Sequence, residues 1–332
     1  MESQSAFKKG LLFIIGLILL ISSMLASLRV GAASIDFSTI FQSFITNEET
    51  RDVLIVQGLR LPRTLIAVII GASLAIAGAI MQAITLNPLA SPQIFGVNAG
   101  ASLMVVIGLV LLPSISPGSL VYFAFLGAIL GGTVVYSMAS TGGGTSPIKL
   151  ALAGITVHLF LSAIIEGIVL FHEDSTENVL FWLAGAIDGA TWGDVQTILP
   201  WSIIGIILTI VLARQLTTLG LGDEMAQGLG QNVVLIRLFF SFLVVILAGA
   251  SVAVAGPIGF VGLIVPHIVR KLVGVDYRII IPFSALFGAL LLVTADVLSR
   301  FIAYPSESPV GIVTALIGAP YFLYLARKGG KA

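Results

Sequence analysis

Long apolar stretches alternate with short polar segments along the whole of this 332-residue chain. Ten of the stretches approach the roughly 20 residues that an α-helix needs to cross a bilayer, and the eighth is the shortest. Their predicted spans are 9–29, 64–84, 93–112, 119–139, 148–171, 192–213, 234–255, 258–273, 279–300 and 308–327. The pattern predicts an all-α polytopic membrane protein of about ten transmembrane helices, forming one domain over residues 1–332.

Basic residues are divided unevenly between the predicted loops. With the N-terminus inside and the spans alternating, the inner side holds eleven basic residues and the outer side five. The inner set is Lys8, Lys9, Lys149, Arg214, Arg237, Arg270, Lys271, Arg278, Arg327, Lys328 and Lys331, and the outer set is Arg29, Arg51, Arg60, Arg63 and Arg300. Because cytoplasmic loops are enriched in Lys and Arg, this division predicts that both termini are cytoplasmic.

The first apolar segment has two interpretations. Lys8 and Lys9 followed by the apolar residues 10–28 are typical of a signal peptide, and residues 31–33 (Gly-Ala-Ala) offer a small-residue cleavage site. The run is also long enough to span a bilayer, and the two lysines suit a cytoplasmic start. We therefore expect a retained first helix.

Composition and missing motifs exclude several classes of protein. Only 10% of the residues are charged, against about a quarter in soluble domains, and the net charge of zero makes nucleic acid an unexpected partner. There is no cysteine, and three scattered histidines predict no metal site. The sequences G-x-x-x-x-G-K-[ST], H-E-x-x-H and G-x-S-x-G are absent. We expect no enzymatic activity and no cofactor bound by this chain; if ATP drives transport, a separate subunit hydrolyses it.

An internal repeat is visible within two of the spans. Residues 71–78 and 249–256 both read G-A-S-x-A-x-A-G. In the ten-span arrangement the two copies cross the membrane in opposite directions, which is the pattern of inverted-topology halves in transporters. Chance is the alternative, because Gly, Ala and Ser are common where membrane helices pack closely.

Two groups of polar residues need an explanation, because a polar group in hydrocarbon requires a partner or water. Residues 82–98 contain six polar side chains and two prolines, which fits either a broken crossing beside protein or water, or a plain cytoplasmic turn. The fifth span carries His158, Ser162 and Glu166 on one helical face. That face predicts a translocation pathway; hydrogen bonds inside the bundle are the alternative. Asp296 and Arg300, at i and i+4, are explained more simply as an ion pair.

The predicted inner loop at about 214–233 has signals for short helices. Asp223 is a candidate N-cap for a helix over residues 224–229, Gly230 is a candidate C-cap, and a second turn can start at Asn232. Two short helices in one loop form a projection that a partner could bind, although most loops of this kind are only connectors.

Several segments, in order from about residue 55 to 325, resemble the FecCD-type permease family, the membrane component of ATP-binding-cassette (ABC) importers for iron-siderophores, haem and cobalamin. The longest and most specific of them is residues 256–267, Gly-Pro-Ile-Gly-Phe-Val-Gly-Leu-Ile-Val-Pro-His. The others are residues 60–63, 71–82, 87–92 with Gly96, 182–185, 221–224, Ala295-Asp296 with Arg300, Glu307, 309–311 and 318–322.

The resemblance implies a ten-helix permease in the bacterial inner membrane and its partners. These are a second permease subunit, either the same chain or a paralogue, two ABC ATPase subunits that use ATP and Mg²⁺, and an extracytoplasmic substrate-binding protein. It implies that the loop binds the ATPase and that three outward arginines pair with acidic residues of the binding protein. The matching loop positions are Leu221, Gly222, Asp223, Glu224 and Gly230, and the matching arginines are Arg60, Arg63 and Arg300.

The resemblance favours an iron(III)-siderophore as cargo, with haem and cobalamin as alternatives. It implies that the fifth helix lines the pathway but assigns no role to His158, Ser162 or Glu166 individually. Inverted repeats and a buried Glu166 also fit an ion-coupled secondary transporter. An intramembrane enzyme is disfavoured, because no nucleophile, base and orienting group recur at helical spacing.

Overall fold

The computed structural model describes residues 2–31, 34–45, 50–112, 117–141, 147–172, 176–304 and 306–329. Ala32 and Ala33 of the suggested cleavage site, and Lys331 of the inner basic set, lie outside the described residues.

The described part of the chain is helical throughout. Its α-helices are α1 (Glu2–Arg29), α2 (Phe37–Ile45), α3 (Arg51–Ile55), α4 (Leu61–Ile84), α5 (Val97–Leu111), α6 (Pro117–Ser140), α7 (Pro147–Phe171), α8 (Thr176–Leu183), α9 (Trp192–Val211), α10 (Ala213–Leu219), α11 (Asp223–Gly228), α12 (Val233–Ala255), α13 (Val261–Val273), α14 (Tyr277–Ile302) and α15 (Val310–Gly329). A π-helical segment, Val56–Arg60, joins α3 to α4 in one continuous run, and a 3₁₀ turn, Pro92–Phe95, precedes α5.

Every apolar span predicted from the sequence overlaps one of these helices. Seven helical runs in the described residues are long and apolar enough to cross a membrane, namely α1, α3–α4 taken together, α6, α7, α9, α12 and α14. The helices α5 and α15 are apolar but shorter, and α13, the counterpart of the short eighth span, has 13 residues. The chain is therefore an all-α, multi-pass membrane protein.

Helix α4 lies at the centre of the bundle and is buried along nearly its whole length. It packs against α14, α12, α13 and α9. The contacts with α14 and α13 are close because glycines meet: a Cβ on Gly71 would overlap the backbone of Gly288, and one on Gly78 would overlap Gly262. Such backbone-to-backbone contact is how membrane helices gain packing energy without a hydrophobic driving force. By contrast α1, α6, α7 and α9 keep apolar side chains exposed at the periphery.

The two copies of the repeated octapeptide lie on α4 and at the end of α12, and these helices pack against each other. Their surroundings correspond: α4 contacts α14 and α13, and α12 contacts α6 and α5. The first glycine of each copy faces the equivalent neighbour, Gly71 facing Gly288 on α14 and Gly249 facing Ala128 on α6.

Side-chain contacts define two opposite ends of the bundle. At the Arg63 end, the C-terminus of α1 and the N-terminus of α4 meet the C-terminus of α14. At the Asp223 end, the C-terminus of α4 meets the N-terminus of α12 and, through it, α11. Helices α4 and α12 therefore run in opposite directions.

The residues between α4 and α5 combine the two structures considered for residues 82–98. Leu86, Asn87 and Pro88 form an exposed turn, in which Asn87 Oδ1 accepts from the Leu89 amide at 2.9 Å. The chain then re-enters the bundle as buried, non-helical backbone at residues 90 and 91, forms the 3₁₀ turn and enters α5 through Gly96, which has a φ of +69°. An exposed turn and a buried irregular segment are thus both present.

Candidate functional site

A buried ion pair joins α4 to α14 at the Arg63 end. The Nη2 atom of Arg63 lies 2.8 Å from Oδ1 of Asp296, whose side chain is fully buried. Arg63 also donates through Nη1 to Glu307, which is partly exposed just before α15. The predicted i, i+4 pair between Asp296 and Arg300 is confirmed. Asp296 therefore gives one carboxylate oxygen to each arginine.

The end of α1 is held by two arginines. The last carbonyls of a helix have no partner within the helix, and here Arg60 Nη1 donates to Leu28 O at 2.8 Å and Arg29 O at 2.7 Å. Arg300 Nη1 donates to Ser27 O at 2.7 Å. Because the carbonyl end of a helix carries partial negative charge, two guanidinium groups are well placed there.

Arg60, Arg63 and Arg300 also line an open depression of about 730 Å³, which Arg51 and Asp188 share. Their side chains are nevertheless buried, and their hydrogen bonds go to this chain itself. Arg51, the first residue of α3, is exposed. Pairing of the three buried arginines with a binding protein stays a prediction, and it would have to proceed without breaking these internal bonds.

The loop at the Asp223 end contains two short helices, α10 and α11. Both short helices were expected after Asp223, but α10 lies before it. The turn expected at Asn232 is instead the start of the long helix α12, where Asn232 Oδ1 accepts from Leu235 N at 3.1 Å. Gly230 ends α11 as expected: its φ is +81°, its amide donates to Gln227 O, and the Gln231 amide donates to Ala226 O. This is the Schellman arrangement, which favours glycine at that position.

Asp223 does not cap α11, so that prediction is wrong. The N-cap position belongs to Gly222, with a φ of +103°, and Asp223 is the first helical residue. Its Oδ1 accepts from Nη2 of Arg237 at 2.8 Å. A charge-assisted bond to a buried guanidinium is stronger than an amide cap, and this explains the difference. Leu221 and Glu224 remain exposed.

Asp276 supports the loop from the start of α14. Its carboxylate caps the helix by accepting from the Arg278 amide at 3.0 Å, and it accepts from Thr217 Oγ1 on α10 at 3.2 Å. Hydrogen bonds from the Arg278 side chain hold the pKa of Asp276 below its usual value.

The polar face of α7 lines a cleft; that this cleft belongs to a translocation pathway stays a prediction. His158, Ser162 and Glu166 share the wall of an opening of about 610 Å³. Opposite them lie Ser91, Gln93, Asn98 and Ser102, together with Pro257 and Leu183. Three of the six polar residues of segment 82–98, namely Ser91, Gln93 and Asn98, therefore line the same cleft as the α7 stripe.

One polar group in this cleft has an unused acceptor. Asn98 is buried, and its Oδ1 accepts no hydrogen bond from the described residues. Buried polar atoms are normally hydrogen-bonded, so this oxygen, which is itself shielded from solvent, is an exception beside the cleft. Within the described residues, no three His, Asp or Glu side chains come together as a candidate metal site.

The sequence analysis missed Arg237 as a site residue and counted it only toward the inner basic set. The signal was present, because Arg237 falls inside the apolar span 234–255, where an arginine is costly unless paired. In the structure it is 1% exposed.

Comparison with known proteins agrees with this geometry. Residues 18–328 match the FecCD transport family. The chain is 60% identical to the Fe(3+)-citrate import system permease protein YfmD of Bacillus subtilis (strain 168), over 96% of this chain and 95% of that protein. It is 44% identical to the Iron(3+)-hydroxamate import system permease protein FhuB of the same organism, over 96% of this chain and 83% of that protein.

A solved structure has the same fold. It is a metal-chelate type ABC transporter in an inward-facing conformation, with a TM-score of 0.85 and 27% sequence identity. The alignment covers 96% of this chain and 99% of that chain.

Proposed function

This chain belongs to the FecCD transport family, and we propose that it is the permease subunit of an ABC importer that carries an iron(III)-siderophore across the bacterial inner membrane. The relatives named for iron(III)-citrate and iron(III)-hydroxamate import support this class of cargo. Haem and cobalamin are the alternatives within the same transport class.

The proposal rests on the cleft between α7 and the irregular segment 85–96 that precedes α5. In a bundle made almost entirely of apolar helices, a cleft with His158, Glu166 and Asn98 on its walls needs water or a polar cargo. Non-helical backbone at membrane depth is tolerated where it lines such a cavity. We infer that the cleft is this subunit's share of the translocation pathway.

In the proposed topology all ten predicted spans cross the membrane, with both termini in the cytoplasm. At 1.5 Å per residue, α13 alone is about 20 Å long and too short for the hydrocarbon core of about 30 Å. In this topology the non-helical residues 256–260 before it supply the remainder. The opposite directions of α4 and α12, and their corresponding neighbours, support two inverted halves.

The proposed partners follow from the two ends. Two ATPase subunits, using ATP and Mg²⁺, bind the loop with Leu221, Gly222, Asp223, Glu224 and Gly230 at the cytoplasmic end. A substrate-binding protein docks over the depression around Arg60, Arg63 and Arg300 at the outer end, and a second permease subunit completes the pore. This chain hydrolyses nothing and binds no cofactor.

Reconstitution tests the proposal. The chain is purified with an ABC ATPase and a substrate-binding protein from the same genome, placed in liposomes, and offered radiolabelled iron(III)-citrate, an iron(III)-hydroxamate, haem and cobalamin. We expect uptake of an iron chelate that requires both ATP and the binding protein and that persists when ionophores collapse all ion gradients.

Two results would count against the proposal. Uptake by the permease alone, driven by an ion gradient and abolished by ionophores, would support a secondary transporter. Uptake of haem or cobalamin in place of the iron chelates would keep the ABC mechanism and replace the cargo.

A further inference from the structure

Arg237 is an arginine placed where the sequence favours an apolar residue. It lies on the second turn of α12, within a helix otherwise built from Val, Leu, Ile, Phe and small residues. Its side chain is the largest of the fully buried side chains in the described residues. A buried guanidinium is tolerated only when its donors are satisfied, so its partners define what it does.

One partner is the last carbonyl of α4. Nε of Arg237 donates to Ile84 O at 3.1 Å. In a continuing helix this carbonyl would accept from the residue four positions on, but that residue is Pro88, which has no amide hydrogen. Arg237 thus supplies the donor that the end of α4 lacks.

A second partner is Asp223, the first residue of α11. Nη2 of Arg237 lies 2.8 Å from Asp223 Oδ1. Of the residues of α11, only Ala226 is buried, and the neighbouring Leu221, Met225 and Leu229 are exposed. The ion pair is therefore a main attachment of α11 to the interior of the bundle.

The two bonds connect a surface helix to the pathway cleft. Beyond Ile84 the chain makes its exposed turn and re-enters the bundle as the segment that carries Ser91 and Gln93 into the cleft. The guanidinium is rigid and planar, so its two donors keep Asp223 and Ile84 O in a fixed relation.

We propose that Arg237 is a positioning residue that makes the end of α4, and with it the cleft-lining segment 85–96, move together with α11. The inference rests on the proposed function, in which α11 belongs to the ATPase-binding loop. A displacement of α11 relative to α4 would have to break one of these two bonds to Arg237, and separating the ion pair is strongly unfavourable. The ATPase can therefore act on the pathway through this one side chain.

The decisive measurement is the number of iron chelates imported per ATP hydrolysed by the reconstituted complex. Arg237→Lys keeps the positive charge, but its single nitrogen on a flexible chain cannot hold both partners as the planar fork does. We expect this ratio to fall by about threefold to tenfold, which lies within the range of about twofold to thirtyfold by which a single residue changes coupling. Asp223→Asn, which keeps the size of the side chain, should lower the ratio in the same way.

The double variant and a control make the test specific. If the two residues act as one unit, the double variant Asp223→Asn/Arg237→Lys loses no more than either single variant. Lys271→Gln, which removes an exposed charge at the same end of the bundle, should leave the ratio unchanged.

The proposal is overturned if Arg237→Lys imports as many chelates per ATP as the wild type. It is equally overturned if the variant only lowers the amount of assembled complex, because a merely structural role predicts that result. Failure of the proposed function gives a different result from failure of the Arg237 proposal, because the wild-type complex would then show no ATP-dependent import at all.

Discussion

Nε of Arg63 on α4 donates to Oδ1 of Asp296 on α14 at 2.8 Å, although 233 residues separate the two in the chain. The second oxygen of Asp296 accepts from Arg300, which in turn holds the end of α1. One buried carboxylate thus ties together three helices that are distant in sequence.

We predict that Asp296→Asn destabilises the protein by about 3–5 kcal/mol, because it leaves two buried guanidinium groups without their shared anion. Thermal unfolding of the detergent-purified chain measures the effect. Glu307→Gln is the matched control: it removes a partly exposed partner of Arg63 while Asp296 remains, so its cost should stay within about 1 kcal/mol. Equal losses for the two variants would show that burial of the pair is unimportant.

Gly78→Ala is predicted to prevent the close packing of α4 on α13. A Cβ at this position overlaps the carbonyl and Cα of Gly262, which are backbone atoms that cannot rotate away. We expect little folded protein in a size-exclusion profile. Gly10→Ala is the control in α1, where a Cβ meets nothing within 4 Å; it should keep the yield and stabilise the helix by up to about 1 kcal/mol. A normal profile for Gly78→Ala would contradict the contact.

The sequence predicts the spans well because an apolar run of bilayer length has few alternatives to a helix. Short helices such as α2 and α10 were not predicted as such, since neither length nor composition separates them from a connector. The α7 stripe was found from helical periodicity, which gives the face of a helix but not what lies opposite. Only the fold shows that Ser91 and Asn98 line the same cleft as the stripe.

Contacts between residues far apart in the chain account for what the sequence did not predict at Asp223, Arg60 and Arg300. Asp223 was assigned as a cap from its local preference, but the buried charge on Arg237, 14 positions away, competes more strongly for it. The docking role of Arg60 and Arg300, which the family resemblance implies, stays a prediction, but their bonds to the end of α1 were not predicted. Both arginines donate to the last carbonyls of α1 and are buried there. A tertiary contact of this kind leaves no local pattern in the sequence.

Arg51 is predicted to contribute the accessible charge for docking at the Arg63 end. It is exposed and borders the same depression as the three buried arginines. Arg51→Gln should slow association of the binding protein about two- to fivefold at low salt, with a smaller effect at high salt where exposed charges are screened. Surface plasmon resonance on the reconstituted permease measures the rate.

Arg278→Gln, at the opposite end, is the control for that measurement and should not alter association. Substitution of Arg60 or Arg300 should instead reduce the amount of folded permease, because each holds α1. If Arg60→Gln folds normally and loses binding-protein affinity while Arg51→Gln does not, the buried arginines are themselves the docking residues.

Glu166 and His158 are the only ionisable residues that line the cleft within the described part of the chain. An ionised Glu166 would therefore give the wall a negative charge. A carboxylate repels an anionic chelate and leaves a neutral one nearly unaffected. At about 8 Å and an effective dielectric constant of about 40, Coulomb's law gives about 1 kcal/mol per unit charge, or roughly fivefold in rate.

Glu166→Gln is therefore predicted to change uptake according to the charge of the cargo. Uptake of an anionic iron(III)-citrate complex should rise relative to that of a neutral iron(III)-trihydroxamate by up to roughly fivefold, at normal expression of the permease. Thr156→Val is the control on another face of α7, where the hydroxyl bonds only to Leu152 O of its own helix. If the citrate-to-hydroxamate ratio and both uptake rates stay at wild-type values in Glu166→Gln, the carboxylate does not face the cargo, and the pathway assignment of the stripe His158, Ser162 and Glu166 fails.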